Sequence, residues 1–171
     1  IVTESREKHI SNAKDSYNNQ ININKQIAEL NNSANIYKNN GQFEQAILTY
    51  QKAIEIQPDN YDLHYKLAVI YQTVGNPEKA ILSYKKSLIF KPNDIKTLNN
   101  LSSIYTLNKS TINKAEEILK KIIKIQPNYA YAYNNLGILY SLQSDYISSV
   151  RNYKKAIDLE PKLASAYSNL G

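Results

Sequence analysis

A pattern of small and aromatic residues returns four times along this chain, at intervals of 34 or 35 residues. Its fullest version is Tyr133-Asn134-Asn135-Leu136-Gly137-Ile138-Leu139-Tyr140, followed by Tyr153, Ala156 and Pro161. A period of this length restricts the fold more than any single residue does. No unit of that size carries enough apolar surface to bury on its own, so neighbouring units must stack.

Within each unit the spacing is helical. In the first, residues 27–60, Leu30, Ala34 and Tyr37 form one stripe, and Phe43, Ala46, Tyr50 and Ala53 form a second. Between them Asn39-Asn40-Gly41 is a stop signal, and Pro58 ends the unit. Residues 61–94 repeat the plan with Leu67, Ala68, Tyr71 and Gly75, then Ala80, Tyr84 and Ser87, closing at Pro92. Asn76-Pro77-Glu78 is a strong helix start, a capping amide before proline at the first helical position. Residues 95–129 carry one extra residue. It is expected in the glycine-free turn 107–111, because Ala115, Leu119, Ile122 and Pro127 return to phase after it. Residues 130–163 hold the fullest version, and residues 164–171 begin a fifth unit with Ala164, Tyr167, Leu170 and Gly171.

The first 26 residues fit the period poorly. Ile10, Ala13 and Tyr17 nevertheless mark a helical face. The spacing predicts a helix over about 5–23 that caps the array or is the remnant of an upstream unit. The chain opens on Ile and stops inside a repeat, so it is expected to be part of a longer protein. The fold class is all-α, a solenoid of antiparallel helix pairs.

Composition removes several functions. Cys is absent, which excludes disulfides, thiolate catalysis and Cys-ligated zinc. No apolar run approaches the roughly 18 residues of a membrane span. His9 and His64 are too few and too far apart for a metal site, and His64 stands at a packing position. The four glycines are accounted for by turns and helix contacts, which leaves no phosphate-cradling loop. Glu116-Glu117 fall on an outward helix face. No active site, metal or cofactor is expected in these residues. The net charge of +6 gathers partly in Lys52, Lys85-Lys86, Lys120-Lys121 and Lys154-Lys155, at one place in each second helix. Without an accompanying nucleic-acid motif that column reads as a solvated face, placed to complement the negative end of the helix dipole.

Spacing, small residues, aromatics, turn glycines and closing prolines together resemble the tetratricopeptide repeat over residues 27–171. Local departures are Leu30, His64 and Leu98 at the first aromatic position, and Ser87 and Ser149 where alanine is usual. The resemblance implies a right-handed superhelix whose first helices line a concave groove. One groove column would then be Asn32, Lys66, Asn100, Asn135 and Asn169, and its neighbour Asn31, Tyr65, Asn99, Asn134 and Ser168. Asn35, Val69, Ser103, Ile138 and Tyr131 should lie close by.

An amide offers both donor and acceptor and can pair with the backbone of an extended peptide. Helices about 10 Å apart would meet such a chain, rising about 3.3 Å per residue, at every third residue. The implied function is a protein-interaction scaffold, with Asn32, Asn100, Asn135 and Asn169 reading backbone and Lys66 favouring acidic residues. A plain excess of Asn in the chain is the competing account of the column. The carboxylate clamp of chaperone-binding members finds only Lys96 to match it, which disfavours that role. The Asn ladder is similar to the repeat region of nucleocytoplasmic O-linked N-acetylglucosamine transferases, so a substrate-binding appendage of such an enzyme is the alternative. A structural module that dimerises through the exposed terminal repeat is the third reading. Extended peptides are the expected partners, nucleic acid and membrane are not, and the cytoplasm or nucleus is the expected location.

Overall fold

The computed structural model describes residues 2–170, with side chains from residue 11 onward. Gly171 and the side chains of His9 and Ile10 lie outside the described residues. The described residues form α1 (Val2–Asn39), α2 (Phe43–Ile56), α3 (Tyr61–Thr73), α4 (Pro77–Phe90), α5 (Ile95–Thr106), α6 (Ile112–Ile125), α7 (Ala130–Leu142), α8 (Tyr146–Leu159) and α9 (Ala164–Leu170). Each odd-numbered helix packs most extensively on the even-numbered helix that follows it. Short turns make the pairs antiparallel, and the pairs stack into an all-α solenoid. Helix α7 also touches both α5 and α9, whereas no even-numbered helix meets the next even-numbered one as closely. The odd-numbered helices therefore lie on the inside of the bend.

The turns show why the pairs close. Gly41 and Gly75 both adopt φ +74°, in the left-handed region that costs glycine nothing. In each case the next backbone N–H reaches back to the helix, Gln42 to the Tyr37 carbonyl and Asn76 to the Tyr71 carbonyl, both at 2.8 Å. The α7–α8 turn makes the same bond from Asp145 to Tyr140, 2.9 Å, but with Ser144 at φ 63° in the glycine's place. The α5–α6 turn over 107–111 is built differently. There the Thr111 hydroxyl donates to the Tyr105 carbonyl at 2.8 Å, replacing the backbone N–H of the other turns. Asn60, Asn76, Asp94 and Asp145 cap the helices that follow them, each accepting from a backbone N–H one turn in.

The core follows from two columns. Ala34, Ala68 and Ser102 are fully buried, and Gly137 is buried at the same position of the fourth pair. Tyr50, Tyr84, Leu119 and Tyr153 form the buried column of the partner helices. In the fourth pair the helices approach so closely that a Cβ on Gly137 would clash with the ring of Tyr153. Ser87 and Ser149 are buried yet paired, to the carbonyls of Tyr61 at 2.9 Å and Gly137 at 2.8 Å. This is how a hydroxyl is accommodated where the repeat pattern favours alanine. His64 is likewise buried, its Nε2 2.7 Å from the Pro58 carbonyl and its ring stacked on Phe90.

One expectation fails at the N-terminus. The predicted helix over 5–23 is not separate, because α1 runs unbroken through it into the first repeat. The segment continues α1 without a turn and so does not fold back as a cap. Residues 11–22 are exposed, with Tyr17 at 68% and Ile21 at 50%, and burial begins only around Ile23 and Ile27.

Two substitutions test this account. Gly137→Ala gains about 1 kcal/mol of helix propensity but must displace a buried ring, an overpacking cost of about 1–3 kcal/mol. Its urea midpoint should fall, and a midpoint at or above that of the parent would show that the ring yields freely. Ser144→Gly should raise stability by about 0.5–1 kcal/mol by relieving the left-handed backbone. A calorimetric scan that shows no rise, or a fall, contradicts the turn geometry.

Candidate functional site

The inward face of α1, α3, α5, α7 and α9 carries the two Asn-rich columns. Consecutive residues of a helix point about 100° apart. One column therefore leans toward the following repeat and the other toward the preceding one, and they meet across each interface. Lys66 Nζ donates to Asn31 Oδ1 at 2.8 Å, and Asn100 Nδ2 to the Tyr65 hydroxyl at 3.4 Å. Asn135 Nδ2 donates to Asn99 Oδ1 at 2.9 Å, and Asn169 Nδ2 to Asn134 Oδ1 at 3.2 Å. The columns are thus bridged, rung by rung, along the whole array.

Core tyrosines extend this polar layer. The Tyr50 hydroxyl donates to Asn35 Oδ1 at 2.7 Å, and Tyr84 to Gln72 Oε1 at 2.8 Å. Having donated its proton to Gln72, Tyr84 can only accept from Asn100 Nδ2, 3.2 Å away. This fixes the orientation of the Asn100 amide. Both of its N–H bonds face the interface, and its Oδ1 is left toward the groove. Asn135 is similar, since its Nδ2 also donates to Ser103 Oγ at 3.2 Å. Burial pushes the Tyr50 hydroxyl up to about 12, with Asp62 adding to the effect. Burial raises Tyr84 further, against an opposing pull from Asn100. Burial also raises Tyr65, countered by Asn100 and reinforced by Asp94 and Asp62. These phenols remain protonated donors throughout the neutral range.

The structure brings Asn31, Asn35, Tyr65, Lys66, Asn99, Asn100 and Asn135 into one half-buried layer. Asn32 and Asn169 are exposed at its two ends. Asn134 departs from the sequence reading. It is only 5% exposed, covered as α9 packs back on α7, and its carbonyl is engaged by Asn169. Lys66 departs as well. Its ammonium lies 2.6 Å from Asp62, one helical turn earlier, so it is not a free cation awaiting an acidic ligand. Tyr131 is 49% exposed and rests against Tyr129, 5.5 Å between rings.

Sequence reasoning missed part of a pocket of 190 Å³ between α3, α5 and α7. Gln72, Ser103, Thr106, Leu107, Asn135 and Ile138 line it. Gln72, Thr106 and Leu107 stand seven residues, two helical turns, after Tyr65, Asn99 and Asn100. Extending the Asn columns by that interval would have found them. A second hollow of 570 Å³ lies by the N-terminal ends of α3 and α5. Lys91 bridges its wall, 4.3 Å above the Tyr61 ring and 3.0 Å from Asp94. On the outer face, Lys120 pairs with Glu116 at 2.7 Å and Lys121 donates to the Pro92 carbonyl at 3.1 Å. Among the described residues no cluster of His, Asp and Glu is arranged to hold a metal, and no helix is long and apolar enough to cross a membrane.

Models of the tetratricopeptide repeat match residues 61–94, 95–129 and 118–151, and a further TPR-repeat model matches 34–75. Together they run from residue 34 to 151. No curated protein matches the chain. Among solved structures it is similar to MamA, with 26% identity over 80% of each chain and a TM-score of 0.71. A tetratricopeptide repeat protein from Parabacteroides merdae is 24% identical, with 84% of this chain and 56% of that one covered and a TM-score of 0.77. YrrB, described as a TPR protein with an unusual peptide-binding site, is 19% identical, with 83% and 73% covered and a TM-score of 0.72.

The rungs make a stability prediction. Asn135→Ala leaves Asn99 Oδ1 without its partner and removes one of the two bonds of the Ser103 hydroxyl, and should cost about 1–2 kcal/mol in urea unfolding. A double-mutant cycle with Asn99→Ala should return a coupling of about 0.5–1.5 kcal/mol. A coupling indistinguishable from zero would mean that the rung does not form in solution.

Proposed function

Because this chain belongs to the tetratricopeptide-repeat family, we propose that it is a protein-interaction scaffold holding an extended segment of another protein along its inner face. The observation that carries the reading is the recurrence of amides on the inner face of successive repeats, some bonded across the interface through N–H and others through the carbonyl oxygen. The N–H groups of Asn100 and Asn135 are turned into the repeat interfaces. Asn100 Oδ1 has no internal partner, Asn135 Oδ1 takes only a long contact of 3.5 Å from Asn134, and Asn31 and Asn99, bonded through Oδ1, keep their N–H groups for a ligand. An extended chain presents an N–H and a carbonyl at every residue, to alternate sides. Amides repeating about every 10 Å therefore suit it at intervals of about three residues.

Lys66, engaged by Asp62 and Asn31, contributes to the layer rather than to ligand charge.

Selection of a random phage-displayed peptide library on the protein tests the proposal. Recovered clones should lose at least tenfold in affinity, about 1.4 kcal/mol, when Leu107→Arg and Tyr131→Ala are combined on the inner face. They should keep it with Leu82→Arg on the outer face. All three residues are largely solvent-exposed, so none of the changes should disturb folding. The reverse pattern, with loss only on the outer face, would overturn the reading.

A further inference from the structure

We propose that the segment taken by this groove is uncharged where it crosses α5 and α7, and that it seats one branched aliphatic side chain in the pocket between α3, α5 and α7. The inference rests on the peptide-binding reading above and assigns the chemistry of the ligand.

Charge is the first argument. Helices α7 and α9 contain no charged residue, and α5 contains only Lys96, in its first turn. The pocket lies at the opposite end of α5, beside Leu107. Eleven residues of helix separate Lys96 from Leu107, or about 16 Å at 1.5 Å per residue. That is beyond the Debye length of about 8 Å at physiological salt. On α3 the two charges, Asp62 and Lys66, neutralise each other. No charged residue lines the pocket. An ionic side chain drawn in would lose water and find no counter-charge in the lining, since Lys109, two residues past Leu107, is exposed in the α5–α6 turn and does not line the pocket.

The state of the polar lining is the second argument. Gln72 Oε1 already accepts from Tyr84. The Ser103 hydroxyl donates to the Asn99 carbonyl at 3.1 Å, and that of Thr106 to the Ser102 carbonyl at 2.9 Å. Both N–H bonds of Asn135 are in use. Every polar side chain around the pocket therefore has an internal partner. A polar guest gains little there, and an apolar guest leaves few bonds broken. Leu107, 83% exposed, and Ile138 supply apolar walls, and Leu142, 57% exposed, lies one turn beyond Ile138 on α7.

Size is the third argument. A pocket of 190 Å³ is below the roughly 300–1,000 Å³ of a small-molecule site. It is comparable to an apolar cavity of about 150 Å³ that admits a benzene ring. That is room for one Leu, Ile or Val side chain, while the backbone on either side meets the amides of the groove, among them Asn100, whose Oδ1 has no internal partner.

The test reads the sequences and salt response of the clones recovered from the same random library. Inner-face clones should lack charge across the contact and share a Leu, Ile or Val whose replacement by Ala costs at least tenfold. Affinity should change by less than about threefold between about 0.1 M and about 1 M salt, a range over which screening shortens from about 10 Å to about 3 Å. Ser103→Leu, which fills the pocket, should weaken binding at least tenfold. Leu107→Ser, at a side chain too exposed to affect folding, should weaken it in the same direction. Inner-face clones rich in Asp, Glu, Lys or Arg, with affinity falling more than tenfold in salt, would overturn this inference and leave the peptide-binding reading standing. Recovery of no clone sensitive to inner-face substitution would overturn the peptide-binding reading itself.

Discussion

The structure depends on how closely the two helices of each pair approach. Ala34, Ala68, Ser102 and Gly137 keep that approach short, and at Gly137 the ring of Tyr153 occupies the space of a side chain. The consequence reaches beyond the core. Because the helices nearly touch, a tyrosine rooted in an outer helix can pass its hydroxyl through to the inner face. Tyr50 reaches Asn35 in this way, and Tyr84 reaches Gln72 and Asn100. Wider spacing would still bury the rings, but it would detach the phenols from the groove. The protonated Tyr84 then could not dictate which end of the Asn100 amide faces a ligand. Packing at the centre of the repeat is in this sense the origin of the chemistry at its surface.

Most of the fold was legible because it rests on residues whose reasons are local. A glycine before a short turn, a capping Asn or Asp, and a small residue facing a large one carry the same meaning in every repeat. The tetratricopeptide plan followed from their recurrence. What was not legible depends on geometry between elements. Nothing in Ala13 or Tyr17 shows that their helix runs straight on into the first repeat. The α5–α6 turn could be marked as unusual, but not the use of the Thr111 hydroxyl as a substitute donor.

The Asn columns show the limit most clearly. Read along the chain, Asn134 and Asn135 are adjacent polar residues facing away from the core. Read across the interface, one faces forward and the other backward, and each meets a different neighbour. The periodicity contained this, because adjacent positions on a helix differ by about 100°. It contained no statement of which pairs would bond, nor that α9 would bury Asn134. To the two accounts of the Asn-rich columns, ligand recognition and mere composition, the structure adds a third role: the amides join successive repeats.

That division of labour bears on the charge of the whole chain. Of the net +6, helices α4, α6 and α8 each carry a net +2, all on the outer layer. A protein whose inner helices carried the same lysines would meet repulsion across adjacent repeats, where odd-numbered helices lie nearest one another. Neutral amides avoid it and add bonds in the same place. Solubility is supplied by the outer lysines, which lie farther apart around the bend and are hydrated. The inner face is thereby freed from electrostatic duty. On the peptide-binding reading, selectivity there comes from shape, from the spacing of the amides, and from the apolar recess at Ile138 and Leu107.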